Sequence, residues 1–584
     1  MRRNRLLLLA AGLASGVINI LALTGSVYML EVYNRVLPSR SVSLLAVLTL
    51  AMLGLYAVSG ALDFFRARLI GEASLRVDRS LSEEVFAIQL ALPLGNFARS
   101  AGSQPMRDLD QIRTFLSGPA PTAFFDMPWL PVYLGAIYLL HPALGLFATA
   151  GSLLLLGLML LADKRNAAPA QRSTCTAGKK WSFAASACRN AEAIRAMGFE
   201  KSLCNRWSAL NARHLEAQAR ASLQANSVSA AIKVVRAALQ SGILGLGAYL
   251  VLNGSAAAGT MVAASIVLSR ALAPVETAIT HWRSFVAARQ CYARLSGLLA
   301  VPPLPTGRRA RPSQPHMSLA VERLSIVPPR STSAVIRDVS FALAAGGGLG
   351  VIGPSASGKS SLARALVGVW QPRPQQGCIR LDGVPLADWI IGNLGHHIGY
   401  LPQNIQLIEG SIADNISRFD PRASIEKIAA AARAAGIEQV IERLPEGYRT
   451  QIDDGGGSLS SGQRQRIGLA RALYGDPFLV VLDEPNANLD AKGDEKLTEA
   501  IAGVRRRGGI AVVITHRRTV LAAVDAVLAL AGGRVAAYGR KEDVLAKVLQ
   551  RRADQSEPAR TRKFEYESAS SAVSGHRRAA PDPE

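Results

Sequence analysis

The chain of 584 residues predicts two kinds of structure in series. An α-helical membrane domain of six spans comes first, then an α/β domain on a mostly parallel sheet. Three observations carry this. Long apolar runs without charge fill the first half, while from about Met317 strand-like runs alternate with helical patterns. Gly353-Pro-Ser-Ala-Ser-Gly-Lys-Ser360, directly after the apolar run 349–352, fits the phosphate-binding pattern G-x-x-x-x-G-K-[ST]. The expected divisions are 1–300 for the spans, 301–316 for a linker, 317–548 for the α/β domain and 549–584 for a disordered tail.

Hydrophobic residues make up 49% of the chain, yet its net charge is +23. In a soluble protein that excess would suggest nucleic acid. Here it flanks apolar runs: residues 163–220 hold eleven Lys/Arg against four Asp/Glu. That is the positive-inside bias of a membrane protein, so cytoplasmic loops beside lipid are expected and no nucleic acid. The five cysteines, Cys175, Cys188, Cys204, Cys291 and Cys378, are scattered and fit no metal-ligand spacing, so reduced thiols are expected.

Arg2, Arg3 and Arg5 precede 25 uncharged residues, 6–30, too long for a signal-peptide core and long enough to span. Gly12 and Gly16 in this helix could seat a neighbour. A short loop, 31–40, leads to a second uncharged span, 41–62. Residues 71–114 read as cytosolic and helical. Residues 127–162 carry no formal charge and turn at His141-Pro142, giving spans three and four. Asp126, just ahead of Pro128, suits a helix start, which is preferred over a place on a substrate path. Residues 237–269 are uncharged but short for a hairpin. Extending span five back through Lys233 and Arg236, with those side chains snorkelling, completes six spans with both termini inside. Five prolines and three arginines in 301–316 read as linker.

In the phosphate loop, Gly353 and Gly358 allow a tight turn that aims backbone N–H groups at an anion, at the start of the helix 361–370. Pro354, Ser355, Ala356, Ser357 and Ser361 complete the cradle. Lys359 would reach the β/γ-phosphates and Ser360 would ligate Mg²⁺. A second strand, 478–482, ends in Asp483-Glu484: the Asp suits Mg²⁺, and the Glu could polarise water. Leu459-Ser-Ser-Gly-Gln463 opens the helix 464–473 and offers another anion site, with plain helix capping as its alternative. One triphosphate needs one cradle, so the second suggests two copies clamping nucleotide between them.

With these motifs in order, the second half resembles the nucleotide-binding domain of ATP-binding-cassette (ABC) transporters. Gln403 in Leu401-Pro-Gln403 matches the glutamine loop, Leu459–Gln463 the signature motif, and Asp483 and Glu484 the Walker B carboxylates. Asn486-Ala-Asn-Leu-Asp490 matches the loop that follows, and His516, ending the strand 510–515, the switch histidine. Six spans ahead of one cassette resemble an ABC exporter half-transporter. Phe125-Asp-Met-Pro-Trp129, the segment 353–364 and Asp483-Glu-Pro-Asn-Ala-Asn-Leu-Asp490 resemble the permease/ATPase subunit of bacterial type I secretion systems, in the branch exporting proteases and haem-binding proteins. The resemblance implies an ATPase and translocase of the inner membrane, using ATP and Mg²⁺. Glu484, His516 and Lys359 would be catalytic, Ser360, Gln403 and Asp483 would hold the metal, and Ser460, Gly462 and Gln463 would face the partner's nucleotide. Implied partners are a second copy, a periplasmic adaptor (membrane-fusion) protein, an outer-membrane channel, membrane lipid and an unfolded protein substrate. Export of a lipid, drug or short peptide is the alternative.

The chain departs from the family at several points. Ser325-Ile-Val-Pro-Pro329 offers no aromatic to stack on adenine, Ser461 replaces the first signature glycine, and Asp453-Asp454 stands where relatives tend to carry Gly-Glu. With no peptidase domain ahead of span one, export without leader cleavage is expected.

Overall fold

The computed structural model describes residues 2–92, 105–300, 314–329, 331–373, 375–389, 391–453 and 456–556. It divides into two compact units, Met1–Leu304 and Pro305–Glu584. Residues 301–313 of the expected linker, and Asp454, lie outside the described residues.

In the first unit, six helices among the described residues are long and apolar enough to cross a membrane: Arg5–Ser39, Val42–Ala91, Ala120–Leu140, Pro142–Leu161, Glu200–Leu252 and Ala258–Thr280. The expected loop 31–40 is wound instead. A π-helical turn, Val32–Val36, carries span one to Ser39, and the chain reverses at Arg40, in left-handed backbone with φ 50°. A Glu31–Arg35 pair at 3.1 Å, one turn apart, supports the extension. Span five is the continuous helix Glu200–Leu252. Arg236 does not snorkel on it: its guanidinium pairs with Glu276 of span six.

Asp126 stands at the N-cap position of the short helix Met127–Trp129, as expected of a helix start, but its side chain makes no capping hydrogen bond. Its carboxylate instead accepts from Arg66 Nη1 at 2.9 and 3.1 Å and from Asn19 Nδ2 at 2.7 Å. The same Arg66 nitrogen donates to Ser15 Oγ at 2.9 Å, and the Tyr133 hydroxyl donates to Asn19 Oδ1 at 2.9 Å. Four helical segments thus share one buried polar knot, the arrangement a charge needs in an apolar medium. Beside it, the rings of Phe125 and Trp129 lie over Gly12 and Gly16, 3.7 and 3.2 Å from where a Cβ would stand. The glycine pair does seat a neighbour, through those rings.

In the second unit the described residues form twelve strands. They are β1 (Ser318–Ile326), β2 (Ile336–Ala344), β3 (Gly348–Ile352), β4 (Cys378–Leu381), β5 (Val384–Pro385), β6 (Ile398–Leu401), β7 (Gly410–Ser411), β8 (Gln451–Ile452), β9 (Leu479–Asp483), β10 (Ile510–Ile514), β11 (Ala526–Ala531) and β12 (Arg534–Arg540). The expected parallel sheet is there, in the order β12-β11-β3-β10-β9-β6, with only the edge strand β12 antiparallel. Strands β3, β9 and β10 are buried at every position, so they read as unbroken apolar runs. A second, antiparallel sheet, β2-β1-β4-β5, was not expected from the pattern. The helix Lys541–Ser556 carries order past the expected start of the tail at 549, because Val544, Leu545 and Val548 pack on the β11 side of the sheet. Residues 557–584 lie outside the described residues. All five cysteines are free, three of them exposed.

Candidate functional site

Because β3, β9, β10 and β6 run parallel, their C-terminal ends share one edge of the sheet, where such folds bind ligands. Register makes this concrete: Ile514 pairs with Val351 on one side and Asp483 on the other. The phosphate loop leaves β3, Asp483 ends β9, Thr515-His516 follow β10, and Gln403 lies two residues past β6.

The loop has the backbone that an anion cradle needs. Gly353, Ala356 and Gly358 have φ 153°, 61° and 97°. A Cβ on Gly353 would stand 2.3 Å from the Leu530 carbonyl oxygen, so only glycine fits there. Gly358 is the N-cap of the helix Lys359–Leu366. Lys359 is 7% exposed, and its Nζ donates to the Gly353 and Pro354 carbonyls at 2.8 Å each. Burial lowers its pKa, opposed by the nearby Glu484 and Asp483.

Asp483 is 2% exposed, and its Oδ1 is buried without a hydrogen-bond partner. Burial pushes its carboxyl up; a hydrogen bond from Ser360 and the charges of Arg364 and Lys359 pull it down, while Glu484 pushes it further up. A buried carboxylate with one idle oxygen beside a serine hydroxyl is a fitting donor set for a hard cation such as Mg²⁺. Glu484 is half-buried, and its Oε2 accepts from Gln403 Nε2 at 3.0 Å. Its backbone sits at φ 50°, a left-handed conformation that costs a non-glycine residue about 1–2 kcal/mol. The Glu484 N–H donates to the Ile514 carbonyl at 3.0 Å, tying it to β10. One edge thus gathers Lys359, Ser360, Asp483, Glu484 and Gln403.

His516 is exposed. The residues on either side of it are fixed: the Thr515 hydroxyl donates to Asn486 Oδ1 at 3.1 Å and accepts from the Arg517 N–H at 3.1 Å.

Ser460 is the N-cap of the helix Ser461–Leu473, in a reciprocal capping box with Gln463. The Gln463 N–H donates to Ser460 Oγ at 3.2 Å, and the Ser460 N–H donates to Gln463 Oε1 at 2.9 Å. Within one chain this turn is therefore a capped helix. Ser461 is its first helical residue, exposed and outside the positive-φ positions, so serine replaces glycine there without strain. Gly462 is tighter, since a Cβ would stand 3.0 Å from the Asn488 carbonyl oxygen.

Sequence reasoning missed Gln465 and gave Asn488 no role of its own. Gln465 is 3% exposed, and its Nε2 donates to the carbonyls of Pro485 at 2.5 Å and Glu484 at 3.3 Å. Asn488 Nδ2 donates to Gln465 Oε1 at 3.0 Å. Gln463 and Gln465 share one helix, and only the fold shows which of them turns inward.

Comparison with known proteins agrees with this geometry. The ABC transporter transmembrane region family matches residues 7–272, and the ABC transporter family matches 336–487. The type I secretion system ATP-binding protein PrsD of Rhizobium meliloti is 48% identical over 550 residues, 94% of each chain. The toxin RTX-I translocation ATP-binding protein of Actinobacillus pleuropneumoniae is 27% identical, over 91% of this chain and 75% of its own. The alpha-hemolysin translocation ATP-binding protein HlyB of Escherichia coli is 26% identical, over 90% and 75%. A bacterial Atm1-family ABC exporter with ATP bound superposes with TM-score 0.83 at 21% identity, covering 95% of this chain and 99% of its own, and so shares the fold. The chain is a membrane-spanning ATPase that uses ATP with Mg²⁺, and it belongs to the type I secretion ATP-binding proteins of the ABC transporters.

Proposed function

We propose that the chain works as a homodimer in the bacterial inner membrane, with both termini cytoplasmic, and exports unfolded proteins bearing an uncleaved C-terminal signal. Its partners are a periplasmic adaptor protein and an outer-membrane channel. The single observation behind the energy-coupling part is the Gln403–Glu484 hydrogen bond beside the phosphate loop and Asp483. Relatives named for toxin translocation support the cargo class.

On this reading each ATP lies between Gly353–Ser361 of one copy and the turn of Ser460, Gly462 and Gln463 of the other. Lys359 neutralises the β/γ-phosphates, while Ser360 and Asp483, with Gln403 beside them, hold Mg²⁺. When bound, Mg²⁺ neutralises charge developing on the phosphate oxygens. Glu484 orients a water and accepts its proton as the oxygen attacks the γ-phosphorus; the bond to ADP breaks, and the products are ADP and phosphate. His516 contacts the γ-phosphate. Hydrolysis then separates the two cassettes, and the long helices that extend the spans carry that motion to the membrane.

The test is Glu484→Gln. It keeps the shape and the Gln403 neighbour but removes the base, so the variant should bind ATP as tightly as the parent while turnover falls about 10²–10⁴-fold. Near-parental hydrolysis by purified Glu484→Gln protein overturns the general-base role.

A further inference from the structure

Glu484 must present its carboxylate from a backbone that resists the required shape, with φ 50° at a residue that has a Cβ. Such a conformation persists only where its surroundings over-determine it. On one side, the Glu484 N–H is held by Ile514 of β10. On the other, the Glu484 and Pro485 carbonyls both accept from Gln465 Nε2.

Gln465 is itself held. Its Oε1 accepts from Asn488 Nδ2, which fixes the amide with its nitrogen toward Glu484. Gln465 is 3% exposed and rides on the helix Ser461–Leu473, whose first turn packs against Asn488 at Gly462. A buried amide that uses both its oxygen and its nitrogen is a rigid strut, because swinging away would leave a buried carbonyl unpaired.

We infer that Gln465, braced by Asn488, is a positioning residue that holds Glu484 in its reactive backbone conformation. The inference rests on Glu484 being the base. Gln465 acts on the peptide behind the carboxylate, through the Glu484 and Pro485 carbonyls. Removing its donor should leave ATP bound and misdirect the carboxylate, a loss in kcat with little change in KM.

The experiment is a double-mutant cycle on the purified full chain in lipid nanodiscs, reading steady-state ATPase rates and the affinity for trinitrophenyl-ATP. Gln465→Met keeps the volume and removes both polar atoms. Asn488→Ala, at an exposed position, removes only the brace and guards against a folding artefact. Gln465→Met should lower kcat about 10–100-fold and Asn488→Ala about 3–10-fold, each with KM and nucleotide affinity within about twofold of the parent. In a Glu484→Gln background, Gln465→Met should lower the residual rate no further, because a residue that acts through Glu484 has nothing left to position.

Unchanged kcat in both variants overturns the inference, as does a further drop in the Glu484→Gln background. Lost nucleotide affinity in both also overturns it, since it marks a merely structural role. Failure of the underlying reading looks different: Glu484→Gln alone would then keep its turnover.

Discussion

Asp483 and Glu484 are neighbours in sequence with different surroundings, and that difference divides their work. Asp483 is sealed in, with an idle oxygen and the Ser360 hydroxyl beside it. Glu484 reaches outward to Gln403. Asp483→Asn should therefore lose turnover by about 10²–10³-fold, the scale of deleting one group that stabilises charge at a reacting centre. It should also need more Mg²⁺ for half-maximal ATPase. Its ligand-free form should melt higher than the parent, because a neutral amide is cheaper to bury than a carboxylate. Titrating ATPase against Mg²⁺ checks this, and an unchanged midpoint counts against Asp483 as a ligand. Most of this site was legible in the sequence, since Gly353, Lys359 and Ser360 follow the fixed spacing of a phosphate loop, and the Asp483-Glu484 pair ends an apolar strand run. Gln465 was not legible. What it grips is a pair of backbone carbonyls, which leave no trace in residue type.

At the scale of elements, the spans followed from charge and length, and the His141-Pro142 turn fell where a proline-initiated helix requires it. Two misreadings have physical causes. The loop expected at 31–40 carries charges but few helix breakers, so it stays helical to Ser39. Asp126 looked like a cap because its partner, Arg66, is 60 residues away in the chain. The Arg66–Asp126 pair makes a sharp prediction. Asp126→Ala leaves Arg66, 7% exposed, with Asp63 at 2.6 Å as its remaining carboxylate, and should cost about 1.5–3 kcal/mol, the scale of one lost hydrogen bond to a charged group. Replacing both, with Arg66→Met and Asp126→Leu, should cost less than the single change, because the one charge it frees, Asp63, is exposed to solvent and no buried charge loses a partner. Thermal denaturation in detergent tests this, and a double variant less stable than Asp126→Ala contradicts it. Gly16→Val should also destabilise, since its side chain must displace the Trp129 ring 3.2 Å away.

For the whole molecule, the order of parts carried the reading: six spans, a phosphate loop, a signature turn, Walker B carboxylates and a terminal histidine. Apart from the phosphate loop, each motif is weak alone. Their sequence along one chain is what the parallel sheet needs to bring Lys359, Ser360, Gln403 and Glu484 to a single edge. Cargo is the part that could not be read. Nothing in a conducting helix states what passes it, and an unfolded chain imposes no pocket geometry.

The most direct test of protein export compares culture medium from cells making the parent with medium from cells making Glu484→Gln, by whole-proteome quantitation. The account predicts that one or a few proteins disappear from the medium and accumulate in the cytoplasm of the Glu484→Gln cells. Identical media, with the purified parent still hydrolysing ATP, would contradict protein export and favour a lipid, drug or short-peptide cargo.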